Sequence, residues 1–211
     1  MEKFAEIYNR IGKAAIIPVI KLERVEEAVP LARSLLAGGI PVAEVTFRTS
    51  AAAEGIVAIR REVPQMLVGA GTVLTTDQAN AAIQAGAQFV VSPGSNGKII
   101  DRVLAAGVAM IPGVATPSEI EAAIERGLNV LKFFPAEALG GIAMLKSLSG
   151  PYSQIKFVPT GGISANNMKD YLHQKNVLAV GGSWMIQSDL EMVKQLCQEA
   201  CKVAGLVQRS V

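Results

Sequence analysis

Short apolar runs rich in β-branched residues recur along the chain at a nearly regular interval: Ala15 to Ile20, Val42 to Phe47, Leu67 to Gly71, Phe89 to Ser92, Ala109 to Pro112, Val130 to Phe134, Lys156 to Thr160 and Leu178 to Gly182. Between them the apolar positions switch to helical spacing, as in Val25, Ala28, Val29, Ala32, Leu35 and Leu36, or Ile120, Ala123 and Ile124. Each intervening segment is too long for a hairpin turn, so the pattern predicts strands and helices in strict alternation. The punctuation agrees. Thr116-Pro117-Ser118-Glu119 reads as a capping box with proline at the first helical position, and Gly38-Gly39, Gly86, Gly107 and Gly127 stand where helices should stop.

Alternation implies parallel strands covered by helices, and strands this apolar are expected to be buried on both faces. Two architectures fit. A doubly wound open sheet has five or six strands, whereas eight repeats of roughly 20 to 27 residues match a compact (β/α)8 TIM barrel. The barrel is therefore expected, as a single α/β domain over residues 1–211. An extra N-terminal helix over Glu2 to Arg10 would lie across its bottom, and Asp189 to Val207 would close it.

Composition narrows the function. The chain has 211 residues, 50% hydrophobic and 18% charged, with a formal charge of +2. That balance argues against nucleic acid as a partner, since a phosphate-backbone binder carries a basic stripe. The longest apolar stretch, Ala14 to Ile20, falls well short of a membrane helix, and no charged-then-apolar leader opens the chain. A cytoplasmic protein without a membrane partner is expected. Cys197 and Cys201 lie four apart, on one helix face, and read as packing. The single histidine, His173, removes multi-histidine zinc sites and reads as a surface residue. No metal or other cofactor is expected, and acid-base work would fall to a carboxylate or a lysine.

Charged residues inside barrel strands break the rule that the interior is filled with branched apolar side chains. Glu44 interrupts Val42-Ala43-Glu44-Val45, and Lys132 interrupts Val130-Leu131-Lys132-Phe133-Phe134; Arg48, Thr72 and Thr160 end their strands. Burying an ammonium costs several kcal/mol unless it is paired or neutral. A neutral lysine amine is a nucleophile suited to Schiff-base chemistry, with Glu44 as proton shuttle; the competing reading is an interior ion pair that only fixes packing. Thr160-Gly161-Gly162-Ile163-Ser164 and Gly181-Gly182-Ser183-Trp184 would follow strands seven and eight. There, glycine backbone N–H groups and a helix N-terminus often bind phosphate. Gly69-Ala70-Gly71-Thr72 lacks the third glycine of a dinucleotide fingerprint, and Gly94-Ser95-Asn96-Gly97-Lys98 has the wrong spacing for a nucleotide phosphate loop.

Six motifs in order, Glu44-Val45-Thr46-Phe47-Arg48-Thr49, Gly69 to Leu74, Ser92-Pro93-Gly94, Lys132 to Glu137, Pro159 to Ile163 and Gly181 to Trp184, resemble the 2-keto-3-deoxy-6-phosphogluconate (KDPG) and 4-hydroxy-2-oxoglutarate (KHG) aldolases across essentially the whole chain. The resemblance implies a class I aldolase giving pyruvate and glyceraldehyde 3-phosphate, with Lys132 as imine-forming nucleophile and Glu44 as proton-transfer group. It also implies that Arg48 and Thr72 hold the pyruvate carboxylate, that Pro93 and Phe134 wall the pocket, and that Thr160 reaches the substrate hydroxyl. Gly161, Gly162, Gly182 and Ser183 would hold the phosphate, and the assembly would be a homotrimer. Some relatives carry an arginine just after the first strand, where this chain has Ile20 or Lys21; that position is left outside the site. The alternatives are KHG or the galactonate-derived epimer as preferred substrate, and a sugar-phosphate isomerase or epimerase using Glu44 and Lys132 for proton transfer alone.

Overall fold

The structure is a computed structural model that describes residues 4–205, so the expected element ends at Glu2 and Val207 lie outside the described residues. The chain runs α1 (Ala5–Ala14), β1 (Ile16–Ile20), α2 (Ala28–Ala37), β2 (Val42–Thr46), α3 (Ala51–Glu62), β3 (Leu67–Gly71), α4 (Thr76–Gln84), β4 (Phe89–Val91) and α5 (Gly97–Ala105). It continues through β5 (Ala109–Ile111), β6 (Gly113–Val114), α6 (Pro117–Ile124), β7 (Val130–Phe133), α7 (Gly141–Ser149), β8 (Lys156–Pro159), α8 (Met168–Leu172), β9 (Val180–Gly182) and α9 (Leu190–Gly205). The strand expected over Ala109 to Pro112 forms as β5, ending at Ile111, and past Pro112 the chain adds a two-residue strand, β6, that joins the second sheet. Proline has no N–H to give a ladder, although its carbonyl still accepts from the Lys132 N–H at 2.8 Å.

All strand pairs are parallel. Six strands form one sheet in the order β5-β4-β3-β2-β1-β9, and β6-β7-β8 form a second. Two isolated parallel bridges, Phe157 with Val177 and Thr160 with Gly181, connect β8 to the segment that carries β9. Helix ends follow the glycine signals: Gly39, Gly86, Gly107 and Gly127 take positive φ, which costs a residue without Cβ least. The Thr116–Glu119 capping box forms as the sequence predicts, with Pro117 in the first turn of α6.

Alternation along the strands separates the buried apolar residues into two clusters. Ile17, Val42, Leu67, Phe89, Val91, Ala109, Ile111, Val130, Val158 and Ala179 pack with one another, joined by Tyr8 and Ile11 of α1. Their strand neighbours Ile16, Ala43, Val45, Val68, Ala70, Val90, Met110, Leu131 and Phe133 pack outward against the helices. Helix α1 covers the inner cluster, its Tyr8 hydroxyl donating to the Met110 carbonyl at 3.1 Å, and it extends to Ala14, beyond the expected end at Arg10. The cysteines do pack helices. A Cβ on Gly38, at the end of α2, would lie 2.4 Å from the Cys197 Cβ of α9, so the missing side chain is what lets these helices touch.

Candidate active site

Following the inner face toward the C-terminal ends of the strands, apolar side chains give way to polar and absent ones. On β2, Val42 is followed by Glu44 and Thr46; on β7, Val130 is followed by Lys132; on β3, Leu67 is followed by Gly69 and Gly71. Lys132 and Glu44 are 5% and 2% exposed, and Lys132 Nζ lies 3.7 Å from Glu44 Oε1. That is ion-pair range but longer than an N–H···O hydrogen bond. The ammonium position also faces the Phe134 ring, 5.2 Å from its centroid. Among the described residues Glu44 Oε1 has no hydrogen-bond partner. A buried carboxylate oxygen with free lone pairs is an acceptor waiting for a hydroxyl or water proton.

Strand glycines make the room. A Cβ on Gly71 would fall 2.0 Å from Glu44 Oε1, one on Gly113 would fall 2.1 Å from the Pro93 carbonyl oxygen, and one on Gly181 would fall 2.4 Å from Thr160 Oγ1. Gly71 and Gly113 lie in strands adjacent to those of Glu44 and Lys132, and Gly113 pairs directly with Lys132. In the sequence Gly181 reads as part of a phosphate-binding glycine pair, while Gly71 and Gly113 carry no assigned role, although glycine inside a strand is a signal that something approaches closely.

The rim is built by short links from the strands. Arg48 lies two residues beyond β2, and its Nε donates to Thr46 Oγ1 at 3.1 Å; the Thr46 hydroxyl in turn donates to the Ile20 carbonyl at 2.8 Å. Thr46 is fully buried and was not foreseen as a supporting residue. Thr72 directly follows β3 at φ 54°, an uncommon conformation for a β-branched residue, and the Phe47 N–H bonds the Gly71 carbonyl at 2.7 Å, tying these two strand ends together. Pro93 follows buried Ser92, whose hydroxyl donates to the Gly94 carbonyl at 2.6 Å. The structure thus sets Lys132 against both Glu44 and Phe134 and places Arg48 and Thr72 just past the ends of β2, which carries Glu44, and β3, its neighbour.

Thr160, next in the series, pairs with Gly181 and so brings the two glycine pairs to neighbouring strand ends. Gly161 and Gly162 both take positive φ, 96° and 81°, and a Cβ on Gly161 would contact the Phe134 ring edge at 3.4 Å. Asn167 holds this turn: its Nδ2 donates to the Gly162 carbonyl at 3.0 Å and its Oδ1 accepts from the Ser164 N–H at 2.8 Å. Gly182 leaves room for the Trp184 ring, and Ser183 beside it is exposed. One expectation changes. Neither pair leads straight into a helix, because α8 starts at Met168 and α9 at Leu190. The loops offer backbone N–H groups and the Ser183 hydroxyl, and the start of α8 is tied to the first pair through its N-cap residue Asn167.

Elsewhere, a cavity of about 550 Å³ lined by Arg10, Lys13, Gly39, Pro41 and Cys201 contains none of these residues. His173 is exposed at the end of α8. Burial pushes the Cys197 thiol up to about 12 and raises Cys201 as well. Among the described residues, no helix is long and apolar enough to cross a membrane, and no three His, Cys, Asp or Glu side chains gather as a metal site.

Comparison with known proteins agrees with this arrangement. The family model for KDPG and KHG aldolases matches residues 7–199. The chain is 51% identical over 207 residues to the 2-dehydro-3-deoxy-phosphogluconate aldolase of Treponema pallidum, covering 95% of this chain and 99% of that protein. Among solved structures, the KDPG aldolase of Legionella pneumophila, with pyruvate captured as a covalent carbinolamine, superposes with a TM-score of 0.88 at 40% identity, covering 92% of this chain and 97% of that one. The 2-keto-3-deoxy-6-phosphogluconate aldolase of Zymomonas mobilis, with 3-phosphoglycerate, gives a TM-score of 0.88 at 38% identity, covering 97% and 96%. A buried lysine beside a buried carboxylate, glycine turns at neighbouring strand ends and relatives matched over nearly their full length lead to one assignment: the chain belongs to the KDPG and KHG aldolase family.

Proposed function

We propose that the protein is a class I aldolase that cleaves 2-keto-3-deoxy-6-phosphogluconate to pyruvate and glyceraldehyde 3-phosphate. The observation that carries this reading is the buried Lys132 amine 3.7 Å from a Glu44 oxygen that accepts no hydrogen bond. Once the Lys132 ammonium has passed a proton to Glu44, the amine attacks the C2 keto carbon, and the resulting carbinolamine loses water to give an iminium. Glu44 delivers the proton to the departing hydroxyl. The carboxylate then takes the proton from the C4 hydroxyl. The C3–C4 electron pair moves into the iminium, releasing the aldehyde and leaving an enamine, which is protonated at C3 and hydrolysed to pyruvate. The planar Arg48 guanidinium, aimed by Thr46, suits the C1 carboxylate, with Thr72 beside it. Pro93 and Phe134 shape the pocket, and Thr160 faces the substrate hydroxyls. Gly161, Gly162, Gly182 and Ser183 receive the phosphate. The Legionella relative's carbinolamine supports the covalent step, and the Zymomonas relative's 3-phosphoglycerate supports a phosphorylated ligand.

This reading includes a closed (β/α)8 barrel. Two features support closure: β5 and β6, counted as one strand interrupted at Pro112, would join the two sheets, and the Thr160–Gly181 bridge would be the seam between β8 and β9. It also includes one domain over residues 1–211, with α1 across its base, acting as a cytoplasmic homotrimer; sedimentation or light scattering tests the oligomer. Reduction with borohydride in the presence of pyruvate tests the chemistry: one pyruvate-derived group per chain is expected on the peptide containing Lys132. An unmodified Lys132 peptide would rule out the Schiff base and favour proton-transfer chemistry on a sugar phosphate. Cleavage of 4-hydroxy-2-oxoglutarate faster than of the phosphorylated substrate would reverse the substrate assignment.

A further inference from the structure

We propose that Tyr171 and Glu137 form a positioning pair for the phosphate end of the site, in which the tyrosine hydroxyl ties down a carboxylate that would otherwise repel the substrate's phosphate. This rests on the reading that Gly161, Gly162, Gly182 and Ser183 hold a phosphate.

Four observations support it. Tyr171, on α8, is 1% exposed, yet its hydroxyl reaches across to donate to Glu137 Oε1. Glu137 itself is an exposed residue just past β7 and is anchored to the phosphate loop by its backbone, its N–H donating to the Gly161 carbonyl at 3.1 Å. Its side-chain stem lies directly on that loop: a Cβ on Gly162 would fall 2.5 Å from Glu137 Cγ and 2.7 Å from Glu137 Cβ. The pair is also given space, because Gly141, at φ 54°, would with a Cβ stand 2.6 Å from Tyr171 Oη and 3.0 Å from Glu137 Oε1.

An exposed glutamate has many rotamers, and one whose stem rests on the phosphate loop can swing its charge toward a bound dianion. The tyrosine removes that freedom. Burial, followed by the hydrogen bond to Glu137 and its charge, holds the Tyr171 hydroxyl well above the usual tyrosine range, so it stays a donor through the neutral and alkaline range. A pair that served only to pin α8 to the β7 loop would affect folding and both substrates alike. A charge restraint predicts a different pattern.

The test uses Tyr171→Phe, Glu137→Asp, Glu137→Gln and the double variant Tyr171→Phe/Glu137→Gln, with inorganic phosphate as a competitive probe. Tyr171→Phe should raise KM for the phosphorylated substrate and Ki for phosphate roughly five- to thirtyfold, the scale of one added like-charge contact near the surface. kcat and the KM for 4-hydroxy-2-oxoglutarate should stay within about twofold. Glu137→Asp keeps the charge but is too short to hold the tie, so it should show the same loss. It also serves should Tyr171→Phe fold poorly. Glu137→Gln should be near wild type, and the double variant should regain wild-type phosphate affinity. A double variant as weak as Tyr171→Phe, or Glu137→Gln weaker than Glu137→Asp, would overturn the proposal in favour of a purely structural pair. Failure of the phosphate reading itself shows separately. In that case phosphate would not compete even against wild type, and Ser183→Ala would lower activity on both substrates equally, which overturns this inference as well.

Discussion

Adding one methyl group at Gly71 tests the site more sharply than deleting any of its functional groups. The ideal Cβ falls 2.0 Å from Glu44 Oε1, 2.4 Å from its Cγ and 2.5 Å from its Cδ, against a comfortable carbon contact of about 3.5 to 4.0 Å. Glu44 must therefore shift by on the order of 1 Å, and displacements of that size at a catalytic group cost about 10²-fold in rate. Overpacking a full interior destabilises by about 1 to 3 kcal/mol, which for a chain of this length lowers Tm by roughly 2 to 12 °C. Gly71→Ala should thus fold, lose some stability and turn over about 10²-fold more slowly, the scale of losing positioned acid-base catalysis. Pyruvate release is followed in a coupled lactate dehydrogenase assay, with borohydride trapping to show that Lys132 still forms its imine. The same methyl placed in a Glu44→Ala background no longer meets the Glu44 carboxylate and stem that crowd it and should change kcat by less than about twofold, since coupled sites are non-additive. A wild-type kcat in Gly71→Ala, or a second full loss on top of Glu44→Ala, would refute the assignment of Glu44 as the proton-transfer group.

Three further outcomes are expected. Lys132→Met should abolish imine trapping and cost about 3 kcal/mol in urea denaturation by leaving the Glu44 carboxylate buried without its partner, while Lys132→Met/Glu44→Gln should recover most of that stability; equal stability of single and double variants would mean the pair is not coupled. Because Thr72 sits at φ 54°, Thr72→Gly should be about 1 kcal/mol more stable than Thr72→Ala, reversing the usual order, with both losing pyruvate affinity; an alanine variant more stable than the glycine one would mean the backbone relaxes. The thiolate is the form that reacts, and with the Cys197 thiol near 12 only about one in 10⁴ is ionised at pH 8, so iodoacetamide should leave Cys197 unlabelled in the native protein; rapid labelling read by peptide mass spectrometry would contradict the packing role.

Alternation of strands and helices, the helix stops at Gly39, Gly86, Gly107 and Gly127, and the two charges that interrupt apolar strands were all legible from residue order, because periodicity, φ preference and desolvation are local properties. The motifs around Glu44 and Lys132 also identified the family. Distance was not legible. That Lys132 and Glu44, on strands that are not neighbours in either sheet, stand 3.7 Å apart follows from how the inner face curls, and no local rule contains it. Local signals also missed β6, the two-residue strand Gly113–Val114 that pairs with β7 beyond the expected strand end at Pro112. They suggested helix termini beside the glycine pairs, where the chain instead turns on Asn167 and Ser164 before α8 begins. Gly71, Gly113 and Gly181 show the difference most plainly. In sequence a strand glycine only signals a close approach, whereas in space each is the room taken by a named group on another segment, Glu44, Pro93 or Thr160. A side chain's absence is a local fact, but what fills the space it leaves is set by parallel register between strands distant in the chain, and that register exists only once the tertiary structure has formed.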